Sequence, residues 1–584
     1  MRKSLLFVAM LCASLGLAAV AEDHDDNQGD NGKEGGAVRH VLLISIDGMH
    51  ALDYLNCSHG IAGANDGKPY CPNLAALAST GINYTAANTS KPSDSFPGLM
   101  NIVSGATPRL MGVYYDVAYD RSLDGPAATT GNGNPSAPCD PSKPPTGYTT
   151  EYEEGLDKDQ ALLNGGAPGA GLTDGGIASL DPSKMDRDPK RGCAPVYPWE
   201  FVRTNTIYGV IHKAGGYTAW SDKHPAYSSV AGRDGIGVLD DYYSPEINSN
   251  VIGLPNVTTP DGLNCSTVPD TSADLTAWTT SFKNIKCYDT LKSNAILNEI
   301  AGWNHLHTAK TKTPTIFGMN FQAVSVGQKL IENGVKGGYL DAAGTPSENL
   351  LSEIQFVDDA IGQMVMTLKD RGLSESTLII ITSKHGQSPI DPNLFFPIPG
   401  HHTTNGLSPA TLISNQIPGA IPPSEDPNGS GIGSTEDDVS LVWLTNSSFT
   451  DAAVTLLEGN LKTIGAGQIF YGPSVALNYN WPGLAPSGDP RTPDIIVSPN
   501  VGVIYTGSAS KQEEHGGFAH DDTNVMLLLS NPSFTPRTVY SEVGTLQIAP
   551  TILRALGLNP SALDGVRLEG TSVLPGVTLH SDNH

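Results

Sequence analysis

Positive charge is scarce in this chain. Its 34 Lys and Arg face 60 Asp and Glu, a formal charge of −26 with a pI near 4.8. That balance argues against nucleic acid and anionic membrane surfaces as partners, because both are polyanions, and no nucleic-acid-binding patch is expected. Long apolar runs are equally rare: past the N-terminal stretch, none is long enough to span a bilayer. Cysteine is sparse, seven in all with no C-x-x-C spacing, which counts against a thiolate zinc site. Internal repeats are lacking too, so a repeat array is excluded. What the chain has in quantity is glycine (64) and proline (43), the residues of turns and long loops. With 39% hydrophobic and 16% charged residues the chain is globular rather than disordered, and its 584 positions exceed one simple core, a length that α/β enzymes with inserted subdomains reach.

The first 21 residues have the form of a secretory signal. Arg2 and Lys3 are basic, Leu5 to Val20 apolar, and Ala19-Val20-Ala21 a small-residue cleavage site. Export is therefore expected, to a secreted or periplasmic location, with no transmembrane segment left after cleavage. Cys12 lies inside the apolar run directly after Leu11 and makes a poor lipidation site. Residues 22–37, beginning EDHDDNQGDNGKEGG, are polar and without periodicity, as in a disordered leader. The six remaining cysteines, Cys57, Cys71, Cys139, Cys193, Cys265 and Cys287, allow fifteen pairings. Nearest-neighbour disulfides are the expectation.

The main domain, 38–584, is organised around VLLISIDGM, Val41 to Met49. Such an apolar run suits a strand buried on both faces of a parallel sheet. Asp47 then stands beyond its carboxyl end, where α/β sheets place ligand sites; capping the next helix is the alternative role. Pro72 to Gly81 has helical spacing between a starting Pro and a closing Gly. After Phe96-Pro97 a helix is expected over Gly98 to Ser104, which puts Ser95 at or just before a helix N-terminus. There a hydroxyl can meet an oxyanion or phosphate, or simply cap the helix.

Two loop-rich insertions are expected, at about 120–198 and 228–286. Between them lie a helix near Trp199 to Ala214 and a strand, Tyr217 to Ser221. Asp222, Lys223 and His224 follow that strand and either line a pocket or form an ordinary polar turn. Further on, Tyr288 to His305 reads as helix, Pro314 to Phe321 as buried strand, and Ser347 to Arg371 as a long amphipathic helix ended by Gly372. TLIIITS, Thr377 to Ser383, is a strand running into Lys384-His385-Gly386. Later strands are expected at Val439 to Leu444, Asp494 to Val497 and Val525 to Leu529, with a closing helix at Gly544 to Leu556. This alternation predicts an α/β fold: a doubly wound, mainly parallel sheet with helices on both faces and loop-rich, disulfide-stapled insertions.

Six stretches in order, LLISIDGM, PNLAALASTGINYTAANT, SFPGLMNIVSGATP, SKHG, EEHGGFAHDDTNVMLLLS and TLQIAPTILRALGL, resemble the alkaline phosphatase superfamily. The branch they most resemble is the type I phosphodiesterase/nucleotide pyrophosphatase family. The resemblance implies an alkaline-phosphatase-like fold and hydrolysis of phosphate esters, of phosphodiester or nucleotide pyrophosphate bonds, in small molecules or nucleotides. It also implies a Ser or Thr nucleophile working between two divalent cations, usually zinc. Position by position, Asp47, His385 and His515 match metal ligands and Ser95 the nucleophile. Asp116 falls where the family often has an Asn that hydrogen-bonds a phosphoryl oxygen.

Three usual ligands are replaced. AVSVGQKL puts Val324 and Gln328 where the family has an Asp and a His, and Lys384 stands for the Asp before His385. Three outcomes are consistent with this. One is a single-metal site in which Lys384 supplies the missing charge, with Gln328 also facing phosphate. Another is a two-metal site completed from Asp116, Asp222, His224, His401, His402, His520 or Asp522. The last is an inactive site that binds a phosphorylated ligand. A single-metal sulfatase-like esterase is a weaker alternative, because SFPGL lacks the arginine of the C/S-x-P-x-R pattern. The expected site is therefore Ser95, Lys384 and Asp116 for catalysis, with Asp47, His385 and His515 on one or two divalent ions.

Overall fold

A computed structural model describes residues 38–127, 138–152, 180–249, 253–267, 269–270, 278–398, 406–426, 433–507 and 511–578. The expected signal and leader, and His401 and His402, lie outside the described residues.

An eight-stranded sheet forms the centre. In chain order its strands are β1 (His40–Ile46), β2 (Gly81–Tyr84), β3 (Ala219–Ser221), β4 (Asp241–Tyr243), β5 (Ile316–Phe321), β6 (Thr377–Thr382), β7 (Leu528–Ser530) and β8 (Arg537–Val539). Across the sheet they run β8-β2-β7-β6-β1-β5-β3-β4. β1 pairs in parallel with β5 on one side and β6 on the other; β7 alone runs against its neighbours.

The sheet is buried on both faces, so its strands need apolar residues at successive positions rather than alternate ones. Val41 and Leu43 of β1 join one core with α3 (Ser95–Ser104) and the closing helix, Ile548–Ala555. Leu42, Ile44 and Ile46 join another with α1 (Ala51–His59), α2 (Pro72–Ala78), Asn284–Ile300 and Glu348–Asp370. Helices thus cover both faces, and the doubly wound α/β expectation holds. The long amphipathic helix is Glu348–Asp370, capped by the Ser347 hydroxyl, which accepts from Leu350 N–H at 3.2 Å.

The expected Trp199–Ala214 helix is two pieces, Pro198–Phe201 and Ile207–Lys213. Tertiary partners take the backbone between them: Arg203 N–H donates to Met111 O, and Asn205 N–H to Asp564 Oδ2. The strands near 440 and 495 leave the central sheet. Ser440–Val442 and Ile495–Pro499 pair antiparallel in a separate four-stranded sheet with Thr435–Glu436 and Ala466–Tyr471. The six described cysteines pair as nearest neighbours: Cys57–Cys71, Cys139–Cys193 and Cys265–Cys287. Within the first loop-rich stretch, Val117–Asp120 and Tyr148–Glu151 form an antiparallel pair.

Candidate active site

Four adjacent parallel strands, β6, β1, β5 and β3, end at one edge, and each leads into polar residues there. Lys384 and His385 follow β6, Asp47 follows β1, Asn320 and Gln322 end β5, and Asp222 and Lys223 follow β3. The backbones are stitched together: Asp47 N–H donates to Phe321 O at 3.0 Å and Gly48 N–H to His385 O at 3.1 Å. Gly48 has φ 82°, and a Cβ there would lie 2.0 Å from Gln328 Oε1, so only glycine fits this turn.

Helix α3 closes the edge from above. Asp94 is its N-cap, accepting from Phe96 N–H at 3.2 Å, so Ser95 is the first helical residue and its hydroxyl is left for other partners. Gly98 lets the helix rest on the end of β6, since a Cβ would meet Lys384 O at 2.2 Å.

Ser95 Oγ sits 3.1 Å from His385 Nε2 and accepts from Lys223 Nζ at 3.0 Å. His385 Nδ1 lies 3.0 Å from Gly386 O. A proton on Nδ1 satisfies that carbonyl, which leaves Nε2 to accept from the serine. Burial lowers the His385 pKa to about 4, against the opposing pull of Asp47, so the ring is neutral near pH 7. His515 is also held well below the ordinary imidazole range, by burial and by His385, Lys329, Lys223 and Lys511. Its ring lies over His385, centroids 4.1 Å apart, and its Nδ1 is 3.5 Å from Asp94 Oδ1.

Asp47 accepts from Gln322 Nε2 at 2.6 Å and Asn320 Nδ2 at 3.1 Å, with Lys384 Nζ and His385 Nε2 each 3.7 Å away. Burial alone would raise this carboxyl, but Lys384, His385 and Lys223 with the Gln322 amide bring it well below the usual carboxylate range. Lys384 Nζ donates to Asp222 Oδ1 at 2.9 Å. Asp222 is itself fixed by Trp220 Nε1 and by Lys223 N–H. The Tyr227 ring lies under both ammonium groups, 4.2 Å from Lys384 Nζ and 5.9 Å from Lys223 Nζ. Asp47, Ser95 and Lys384 are each 0% exposed, so the charges act in a medium that screens them weakly.

The structure thus brings Asp47, Ser95, Lys384 and His385 into one cluster and stacks His515 on it. Asp116 reaches it through Asp94, whose Oδ2 accepts from Asp116 N–H at 3.0 Å. Gln328, expected to face phosphate, turns away: its amide donates to Gly48 O and Tyr339 OH and accepts from Gln387 Nε2. Val324 is buried in the apolar core. Of the reserve ligands, His224 pairs with Glu246, His520 is exposed beside Asp521, and Asp522 lies against Asp438. Asn320 and Gln322 were not singled out in the sequence, although their position at the end of PTIFGMNF was the available signal. A cavity of about 570 Å³ beyond His50 includes none of Asp47, Ser95, Lys384 or His385.

A doubly wound sheet with a serine at a helix start over its strand ends defines an alkaline-phosphatase-like α/β protein. The sequence profile of the type I phosphodiesterase / nucleotide pyrophosphatase family matches residues 41–153 and 338–521. The chain belongs to that family. Its fold is similar to that of murine ectonucleotide pyrophosphatase / phosphodiesterase 5, with TM-score 0.50 and 13% identity over 89% of this chain and 96% of that one. An inactive form of the same murine protein in complex with AMP gives TM-score 0.50 and 12% identity over 89% and 96%. No curated protein sequence matches.

The family generally uses two zinc ions, and the donors here do not fit that pair. Among the described residues, no three His, Cys, Asp or Glu side chains converge as a metal site would require. Lys384 Nζ sits 3.7 Å from Asp47 Oδ2, an oxygen that a cation there would need. Two like unit charges about 4 Å apart repel by about 4 kcal/mol at an effective dielectric near 20, and a divalent ion doubles that.

Proposed function

We propose that this protein is an exported hydrolase of phosphate esters, with phosphodiester or nucleotide pyrophosphate bonds as targets and Ser95 as nucleophile. The observation that carries the reading is the Ser95 hydroxyl, held between neutral His385 Nε2 and Lys223 Nζ at the start of α3. His385 takes the serine proton as Ser95 Oγ bonds to phosphorus. The bond from phosphorus to the leaving oxygen, on the side of phosphorus opposite Ser95, breaks, and that oxygen takes a proton from water. Water then attacks the phosphoserine from that side and loses a proton to solvent, the Oγ–P bond breaks, and the His385 imidazolium returns its proton to Ser95 Oγ. Lys223, whose Nζ is 3.0 Å from Ser95 Oγ, stabilises charge growing on the phosphoryl oxygens. Export is supported by the signal-like N-terminus and by three disulfides, which persist in oxidising compartments.

A second reading has a specific observation behind it. Val324, Gln328 and Lys384, standing where the resemblance implies metal ligands, suit a protein that holds a phosphorylated ligand without turning it over. Hydrolysis of p-nitrophenyl phosphate, bis-p-nitrophenyl phosphate and a nucleotide pyrophosphate by wild type and Ser95→Ala separates the two. Turnover that falls by about 10³-fold or more in Ser95→Ala supports the hydrolase. Turnover equal in the two proteins removes Ser95 as nucleophile, and binding without turnover establishes the second reading.

A further inference from the structure

A phosphoryl group arriving at Ser95 brings at least one negative charge, and the cations the chain itself sets around that hydroxyl are ammonium groups. Lys223 Nζ is 3.0 Å from Ser95 Oγ. Lys384 Nζ bridges Asp222 at 2.9 Å and Asp47 at 3.7 Å. Two lysines therefore face two carboxylates in one buried cluster, and Tyr227 offers its ring to both ammonium groups. In a metal centre, Asp47 and His385 would point their lone pairs at a shared ion about 2.0–2.2 Å away. Here Asp47 Oδ2 instead accepts from the Asn320 and Gln322 amides and is neutralised by Lys384, Oδ1 alone being buried without a hydrogen bond among the described residues, while His385 Nε2 is engaged with Ser95.

We infer that Lys223 and Lys384 take over the charge work of the two metal ions, so that the site binds phosphate and acts without a divalent cation. Lys223 is a catalytic residue in this scheme, touching the reacting oxygen and the phosphoryl oxygens. Lys384 is a positioning residue: it keeps Asp47 and Asp222 neutralised, so that neither repels the substrate and Asp222 holds the Lys223 backbone in place through its 2.8 Å hydrogen bond. This assignment rests on the reading of Ser95 as the group that meets phosphate. It goes further in naming what stabilises the charge.

The test uses the full mature protein and inorganic phosphate as probe. Calorimetry is run in the presence of EDTA, and again after zinc is added, alongside elemental analysis of the protein. The expected result is phosphate affinity the same within about twofold in both conditions. Lys223→Met should weaken binding by about tenfold or more, and Lys223→Arg should recover part of the loss. Lys384→Met leaves two buried carboxylates unpaired and is expected to fold poorly, so the Lys223 variants, with thermal melts unchanged from wild type, carry the decision. Phosphate binding that EDTA abolishes and zinc restores overturns the inference. So does absence of phosphate binding in both conditions, or wild-type affinity in Lys223→Met. If Ser95→Ala keeps full turnover while metal-free phosphate binding persists, the nucleophile reading fails and the lysine assignment stands.

Discussion

Two carboxyl groups behind the site share what only a proton can supply. Asp438 Oδ1 and Asp522 Oδ1 are both buried and both lack a donor among the hydrogen bonds of the described residues. Burial and mutual repulsion raise Asp438 well above the carboxylate range, and burial raises Asp522 to about 7. A carboxyl whose pKa is higher folded than unfolded gives stability that is complete below the unfolded value, near 3.8, and is lost as pH rises through the folded one. Urea midpoints should therefore fall between pH 5 and pH 8 through this pair. In Asp438→Asn the amide donates permanently, and that part of the fall should vanish. A wild-type slope retained in the variant would show that other groups cause it.

Single residues were legible where their own neighbours announce them. Asp47 ends an apolar run and is followed by glycine, Ser95 precedes Phe-Pro, and His385 stands just past a strand. Gln328 was not legible, because its partners Asp53, His50 and Tyr339 are brought to it by the fold, with the first two 275 and 278 residues away. Its position suggested a phosphate contact; its neighbours made it a strut under Gly48. Lys223 was visible only as one of three polar residues after a strand, and its meaning came from the neighbouring strand ends.

At the scale of elements, the start of α3 couples cap and site. The Asp94 side chain accepts from Phe96 N–H and Asp116 N–H and lies close to His515. Asp94→Ala should cost about 2 kcal/mol, from a lost cap and a stranded amide, and should also lower kcat/KM. Asp94→Ser, which can still cap, should recover most of the stability in urea titrations while leaving the His515 contact unmade. Strands β1, β5 and β6 and the helix Glu348–Asp370 were readable because long, consistent patterns decide them locally. The split of Trp199–Ala214 was not, since Met111 and Asp564 take over the backbone from distant parts of the chain. Nor does periodicity say which sheet a strand joins, and so the strands near 440 and 495 were found in the smaller sheet.

At the scale of the molecule, the disulfides brace stretches poor in regular structure. Cys265–Cys287 ties a loop to the helix Asn284–Ile300, and Cys139–Cys193 closes a separation of 54 residues. Opening the latter in Cys139→Ser/Cys193→Ser should cost about 2–5 kcal/mol, seen as a lower melting temperature that added reductant barely changes further. An unchanged melt would mean that this stretch folds independently of the bridge.

The burial of Lys384 between Asp47 and Asp222 divides the effects of ionic strength. Dissolved ions screen charges over about 8 Å at 0.15 M, but only where they can approach. The interior ion pairs lie beyond their reach, whereas an anionic substrate crossing toward Ser95 does not. Because the chain carries a formal charge of −26 that repels an anion at long range, added sodium chloride should lower KM and leave kcat almost constant, so that capture strengthens while chemistry proceeds unchanged.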